Sequence, residues 1–168
     1  MIRSYQGKTP RIHPSAFVSE FAYVVGDVEV GEYSSIWPGA VIRGDRGKII
    51  IGGMTNIQDN SVVHADADAW LGDGVVIGHS VVCHAARIGD HCLIGNNATL
   101  NDGVDLGAHC VVGSNAMILE NVQIDAFSLV VGIPAYVKSK VTEKHMALVR
   151  ETAESYMVKA GLYKENGL

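Results

Sequence analysis

The 168-residue sequence lacks the features of basic, disulfide-linked or membrane-spanning proteins. Its formal net charge is -5, which argues against nucleic acid as a partner, because electrostatic binding of nucleic acid needs a basic face. No apolar run approaches the ~20 residues that span a bilayer, and no basic start precedes an apolar stretch, so we expect neither a membrane partner nor a signal peptide. The three cysteines form no CxxC pair, which argues against a disulfide framework and favours a reducing, cytoplasmic location.

Proline is also scarce, with 4 residues, whereas glycine is abundant, with 19, a balance typical of short strands joined by tight turns. An aliphatic residue recurs at every sixth position, and a small or β-branched residue follows it four positions later. This spacing fits neither the 3.6-residue period of a helix nor the two-residue period of a half-buried strand. The recurring aliphatic positions are Ile12, Val18, Val24, Val30, Ile36, Ile42, Ile51, Ile57, Val63, Val76, Val82, Ile88, Ile94, Leu100, Leu106, Val112, Ile118, Ile124 and Val130.

A period of six predicts an all-β solenoid, a triangular parallel β-helix in which each hexapeptide forms one short strand and one corner. Three hexapeptides, about 18 residues, complete a turn, and turns stack at strand spacing. The predicted solenoid occupies residues 1–138. After it, Thr142 is a suitable N-cap and Gly161 a suitable stop for a helix within residues 139–168, which we expect to pack on the outside of the solenoid as part of the same domain.

The phase of the repeat slips twice, after Ile42 and after Val63, and we expect each insertion to bulge at a corner. We name the three faces of the prism A, B and C, so that Ile12 begins face A, Val18 face B and Val24 face C. The aliphatic positions Val76 and Val82 then fall on faces B and C. His64 and His84 lie on face C in adjacent turns, and His79 lies on face B, one turn after Gln58 and Asp59.

Three such prisms packed around a threefold axis can bring the B edge of one against the C edge of the next. His64 and His84 of one subunit would then meet His79 of its neighbour. Three neutral imidazoles suit zinc and leave a fourth coordination position open, as in catalytic zinc sites. An Arg fork can pair with a carboxylate across the same seam, where we expect Arg43, Asp45 and Asp59.

These motifs resemble those of the γ-class carbonic anhydrases and their hexapeptide relatives. The matching residues are Arg43-Gly44-Asp45, Asn56-Ile57-Gln58-Asp59-Asn60, His64, Gly78-His79, His84, Gly132-Ile133-Pro134-Ala135 and Tyr156. The resemblance implies a left-handed β-helix that forms a homotrimer. It also implies that His64, His79 and His84 hold Zn2+ (Fe2+ or Co2+ in some members) between subunits, and that Arg43, Asp45 and Asp59 form intersubunit ion pairs.

The activity implied by the resemblance is the reversible hydration of CO2 to bicarbonate. Gln58, Asn56 and Tyr156 match residues near the catalytic centre, and Asp66 or Asp68 is the predicted carrier of the released proton. Arg46 stands where the best-characterised members have Glu, and the loop 65–70 is short, so we expect slower turnover than in those members.

Two other functions are compatible with the same pattern. Hexapeptide acyltransferases use one His as a general base and bind coenzyme A along the coils, so acyl transfer or thioester hydrolysis on an acyl-CoA is an alternative. The third possibility is a non-catalytic scaffold, in which a bound metal holds the three subunits together.

Overall fold

The computed structural model describes residues 1–168 and contains twenty strands and one helix. It confirms the predicted fold class, a left-handed parallel β-helix with a C-terminal α-helix. The strands, numbered along the chain, are β1 Ile2–Arg3, β2 Arg11–Ile12, β3 Phe17–Val18, β4 Tyr23–Val30, β5 Ser35–Ile36, β6 Val41–Ile51, β7 Asn56–Ile57, β8 Val62–His64, β9 Ala69–Leu71, β10 Val76–Ile77, β11 Val82–Cys83, β12 Arg87–Ile88, β13 Leu93–Ile94, β14 Thr99–Leu100, β15 Asp105–Leu106, β16 Val111–Val112, β17 Met117–Ile118, β18 Gln123–Ile124, β19 Ser128–Gly132 and β20 Ala135–Lys140.

The three faces of the prism follow from the strand pairing. Face B is one eight-stranded sheet, in the order β20-β19-β16-β13-β10-β7-β5-β3. Faces A and C belong to one twelve-stranded sheet, because β4 and β6 each run through the corner from face C to face A. The order β17-β14-β11-β8-β6 continues face C, and β6-β9-β12-β15-β18 continues face A.

The inside of the prism is a single column of aliphatic side chains. Every turn contributes one inward residue from each face, and residues of successive turns lie in register, as Ile36, Ile57, Ile77 and Ile94 do on face B. These four side chains are fully buried in a core of 33 residues. Burial of an Ile side chain contributes about 1.5–3 kcal/mol, so the column supplies most of the driving force for folding.

The first two predicted inward positions after the second slip are wrong by one residue, whereas those from Ile88 onward are correct. Ile77, and not Val76, pairs with inward Ile57, and Cys83, and not Val82, pairs with inward Val63. Val76 instead points out beneath the helix, and the outward side chain of Val82 is 43% exposed. The pattern could not fix this register, because the apolar runs 75–77 and 81–83 offer a hydrophobic residue at every position.

The helix α1 spans Glu143–Glu165 and packs along face B. Its predicted N-cap is confirmed at Thr142, whose backbone N–H donates to Nδ1 of His145. The predicted stop at Gly161 is wrong, because the last turn is held by contacts beyond it. Tyr163 packs edge-on against Trp37, and the Lys164 ammonium donates to backbone oxygens of the first coil. The α1 helix does not combine the length and apolarity needed to cross a membrane.

The transition from solenoid to helix includes a strand that the repeat did not predict. β20 turns back and pairs antiparallel with β19, which covers the last edge of face B. The expected boundary between residues 138 and 139 therefore lies inside β20. Residues 141 and 142 connect this strand to α1.

Candidate metal centre

His64 and His84 lie next to each other at the end of face C. β8 ends at His64, and the pairing of Cys83 with Val63 places His84 beside it, one turn further on. The ring centroids are 4.9 Å apart, and Nδ1 of His64 lies 3.3 Å from Nε2 of His84. The predicted adjacency of the two rings on face C is confirmed.

The other nitrogen of each ring contacts an aspartate. Nε2 of His64 lies 3.0 Å from Oδ1 of Asp45, and Nδ1 of His84 lies 2.8 Å from Oδ1 of Asp102. Ionised carboxylates only accept hydrogen bonds, so these ring nitrogens donate. In the neutral imidazoles, the two nitrogens that face each other then both carry lone pairs.

Two lone pairs 3.3 Å apart repel each other unless a cation lies between them. Tetrahedral zinc with Zn–N bonds of about 2.0–2.1 Å places its nitrogen ligands about 3.3–3.4 Å apart. The separation of His64 Nδ1 and His84 Nε2 therefore fits two ligands of one tetrahedral ion. The aspartate behind each ring is the outer contact that metal-binding histidines usually make.

His79 repeats this arrangement on face B. Its Nδ1 lies 3.0 Å from Oδ2 of Asp59, one turn below, and its side chain is 46% exposed. Its other ring nitrogen, Nε2, has no hydrogen-bond partner within the chain. No three His, Cys, Asp or Glu side chains of one chain are close enough together to hold a metal ion. A single chain thus presents two of the predicted ligands at one place and the third at another.

Arg43 and Asp45 form an ion pair within the chain. Nη1 of Arg43 lies 2.6 Å from Oδ2 of Asp45, while Asp59, their predicted partner across subunits, contacts His79. Burial alone would raise the pKa of Asp45, but the hydrogen bonds from Arg43 and His64 outweigh it and hold this pKa below its usual value. Asp45 is therefore a stable anion that links the guanidinium to the first imidazole.

Two of the three side chains predicted to be near the catalytic centre line a cavity with His79, and the third contacts one of them. A cavity of about 290 Å³ between α1 and face B is lined by Gln58, His79 and Tyr156. Nε2 of Gln58 donates to Oδ1 of Asn56 at 2.9 Å, and Nδ2 of Asn56 is buried without an acceptor. Burial, together with the charge of Asp59, raises the pKa of Tyr156, so its phenol stays protonated at neutral pH.

Comparisons with known proteins show which family the chain belongs to. A family model of bacterial transferase hexapeptide repeats matches residues 9–44, 68–102 and 85–120. A carbonic anhydrase of Geobacillus kaustophilus is 43% identical over 98% of this chain and 91% of its own length. The mitochondrial gamma carbonic anhydrase 1 of Arabidopsis thaliana is 39% identical over 89% of this chain and 57% of its own length. The chain belongs to the γ-class carbonic anhydrase family.

The solved structures place this γ-class chain in the same fold. A hexapeptide transferase family protein from Anaplasma phagocytophilum superimposes with a TM-score of 0.92 at 31% identity, covering 96% of this chain and 97% of its own. The β-helix and its C-terminal helix are thus shared over nearly the full length.

The predicted proton carriers lie in the loop beside His84. Asp66 is 4.0 Å from Arg46, and both side chains are largely exposed. Oδ1 of Asp68 accepts from the backbone N–H of Lys48 at 2.8 Å, so this carboxylate holds the turn. Both aspartates line a cavity of about 130 Å³ that His84 and Asp102 also line. Arg46, the departure from the γ-class motif, therefore contacts the loop next to the site.

Asp102 is the residue of the site that sequence reasoning missed. It lies 18 residues after His84, which is one regular turn of the solenoid. The repeat arithmetic that brought His64 and His84 together would have placed Asp102 over His84. The signal was present in the spacing, but no motif of the family drew attention to it.

Proposed function

We propose that three copies of this γ-class chain form a closed ring in which each site takes His64 and His84 from one chain and His79 from the next. In a single chain the first two lie on face C and the third on face B, so a second copy is needed to bring them together. A ring of identical head-to-tail contacts satisfies this requirement at every interface.

The outward surfaces of the prism support face C as the contact surface. Face B is covered by α1, and face A presents ion pairs such as Arg87 with Asp105. Face C presents a ladder of mainly apolar outward side chains with no element over it. Its members are Tyr23, Val41, Val62, Val82, Thr99 and Met117. An apolar sheet face without a cover is typical of a protein contact.

We propose reversible hydration of CO2 to bicarbonate as the activity of this assembly. The observation that carries the proposal is the 3.3 Å approach of His64 Nδ1 to His84 Nε2, with an aspartate behind each ring, an arrangement that suits a divalent cation. Zn2+ is the proposed ion, with Fe2+ or Co2+ as alternatives. Bound there, it would act as a Lewis acid and lower the pKa of water to about 7, which makes hydroxide available at neutral pH.

The remaining groups orient the reactants. Because Asn56 accepts one N–H of Gln58, the Gln58 amide is fixed and keeps its Oε1 and second N–H for the cavity that His79 and Tyr156 also line. The amide can hold the carboxyl oxygens of bicarbonate there. Asp66 is the proposed proton acceptor on the way to bulk water, since its carboxylate is largely exposed, whereas that of Asp68 accepts the backbone N–H of Lys48.

The direct test is stopped-flow CO2 hydration by the metal-loaded protein. We expect hydration in the wild type, loss of hydration in His79→Ala, and wild-type rates in His13→Ala, whose ring lies in the first coil and hydrogen-bonds to Ser15. A wild-type trimer that binds its metal and does not hydrate CO2 would remove the proposed activity and leave the metal site.

Acyl transfer from an acyl-CoA is the second candidate, favoured by the match to the transferase hexapeptide repeat and by the likeness to a hexapeptide transferase family protein. Acyl transfer needs one histidine as a general base, so three histidines with aspartate partners are more than that reaction requires. Isothermal titration with acetyl-CoA separates the two, because binding in the micromolar range would favour acyl transfer and no binding would favour CO2 hydration.

A further inference from the structure

The contact between Asp102 and His84 has a consequence for how the metal site is built. We propose that Asp102 is a positioning residue, which fixes the tautomer and orientation of His84 so that Nε2 carries its lone pair toward His64. The proposal rests on the proposed metal site, and it assigns a role to a residue outside the motifs of the γ-class family.

The geometry determines which nitrogen of His84 carries the proton. Oδ1 of Asp102 lies 2.8 Å from Nδ1, and Nε2 lies 3.3 Å from the His64 ring. A carboxylate stabilises a donor opposite it, so the proton resides on Nδ1 and the lone pair on Nε2. Without this partner, the ring could rotate or exchange tautomers, and Nε2 would present an N–H where a ligand is required.

The Asp102 backbone is fixed well enough to hold its carboxylate in place. Its carbonyl oxygen accepts from the backbone N–H of Asn121 at 2.8 Å, and the preceding side chain, Asn101, donates to the carbonyl of Ile118 at 2.9 Å. Gly103 follows with φ +70°, and its lack of a Cβ admits the side chain of Asn121. The turn is thus anchored to the next coil on both sides of Asp102.

The charge of Asp102 is not engaged elsewhere. Asp45 is paired with Arg43 as well as with His64, whereas the single ionic partner of Asp102 is His84. Asp66 and Asp68 line the same small cavity as His84 and Asp102. The negative charge of these carboxylates favours a cation at His84.

Histidine tautomers provide a readout that a merely structural role would not change. In the metal-free, full-length protein with 15N-labelled histidine, we expect long-range 1H–15N spectra to show His84 protonated on Nδ1. Asp102→Ala should shift His84 to a mixture of tautomers. Asp102→Asn keeps an oxygen acceptor at the same place and should retain most of the Nδ1–H form. Asp105→Asn, which removes an exposed carboxylate paired with Arg87 on face A, should leave the His84 signals unchanged.

The second readout is the affinity for Co2+ alone, measured by titration of the four proteins at one pH. Loss of an outer contact to a metal-binding histidine usually weakens affinity about 10–100-fold. We expect that loss in Asp102→Ala, a smaller loss in Asp102→Asn, and none in Asp105→Asn. An Asp102→Ala protein with wild-type tautomer and affinity would overturn the proposal, as would equal losses in Asp102→Ala and Asp105→Asn. Absence of CO2 hydration in the wild type would remove the proposed activity without affecting either readout.

Discussion

Mixing two inactive variants tests the division of the metal site between chains. His79→Ala keeps the His64 and His84 pair on face C but lacks the ligand on face B, and His84→Ala has the opposite defect. Neither homotrimer has a complete site. In a mixed ring, a site is complete wherever a His79→Ala chain supplies face C and a His84→Ala chain supplies face B.

The size of the rescue follows from the arrangement. With equal amounts and random exchange, about three quarters of the trimers contain both variants, and a closed ring of either mixed composition has one complete site in three. The mixture should therefore bind about one quarter of the wild-type amount of metal and show about one quarter of its CO2 hydration. Subunits are exchanged by unfolding the mixture in urea and refolding it by dilution, and metal is counted by atomic absorption.

A matched control combines two variants that each lack a ligand from face C. His64→Ala mixed with His84→Ala should recover nothing, because every site takes both of these ligands from a single chain. Metal bound by His79→Ala alone at one ion per chain, or no recovery in the His79→Ala and His84→Ala mixture, would refute the division of ligands between faces B and C.

Four further predictions follow from the fold and the site. Ile77→Ala should lower the free energy of unfolding by about 2–5 kcal/mol in urea titrations at fixed protein concentration, because Ile77 is inward and fully buried. The outward Val82→Lys should instead keep the circular dichroism spectrum and sediment as a monomer. Burial raises the pKa of the Cys83 thiol to about 11, so iodoacetamide should not label this thiol at pH 8 until the protein is unfolded. Arg43→Gln should remove the part of the stabilisation by the lowered pKa of Asp45 that Arg43 supplies. This stabilisation is present above the unfolded pKa of about 3.9 and is lost as pH falls through the folded pKa. Urea unfolding should therefore show the variant less stable than wild type near pH 6, with the difference shrinking below about pH 4.

Most of the fold could be predicted from the sequence because the repeat is both local and long. Each inward position, such as Ile88 or Leu106, reports directly on one strand, and pairing with the turn below follows from counting. Prediction failed where the local signal was degenerate. In the run 75–77 every residue is apolar, so the choice of Ile77 over Val76 depends on alignment with Ile57 in the turn below.

The helix end and the last strand were missed for a related reason. Gly161 is a stop signal in isolation, but tertiary contacts of Tyr163 with Trp37 outweigh its weak helix preference. β20 has no hexapeptide pattern, since it pairs antiparallel with β19 and takes no part in the coil. Both features depend on contacts between distant parts of the chain, which local pattern does not record.

The site was predictable to the extent that it follows the repeat. Counting turns placed His64 beside His84, and that contact is present. Counting did not predict the contact of His79 with Asp59, because it put Val76 rather than Ile77 over Ile57. Counting could not show which nitrogen of each ring faces its aspartate. That depends on side-chain torsions, and the opposite orientations of His64 and His84 emerge only from atomic positions.

The uneven turn lengths have a consequence for how such a protein can vary. A perfectly periodic coil has translational symmetry along its axis, so every turn would offer the same surface and no position would be unique. Here Ile57 to Ile77 takes 20 residues and Ile77 to Ile94 takes 17, and this break in symmetry coincides with the turns that carry the histidines. Each coil contacts its neighbouring coils, but α1 runs from the last coil along face B to Trp37 and carries Tyr156 at the cavity beside His79. A turn added between the histidines and the helix would therefore move Tyr156 away from the site. The irregular turns thus mark where along the coil the histidines lie, and the helix limits how many turns the coil can have.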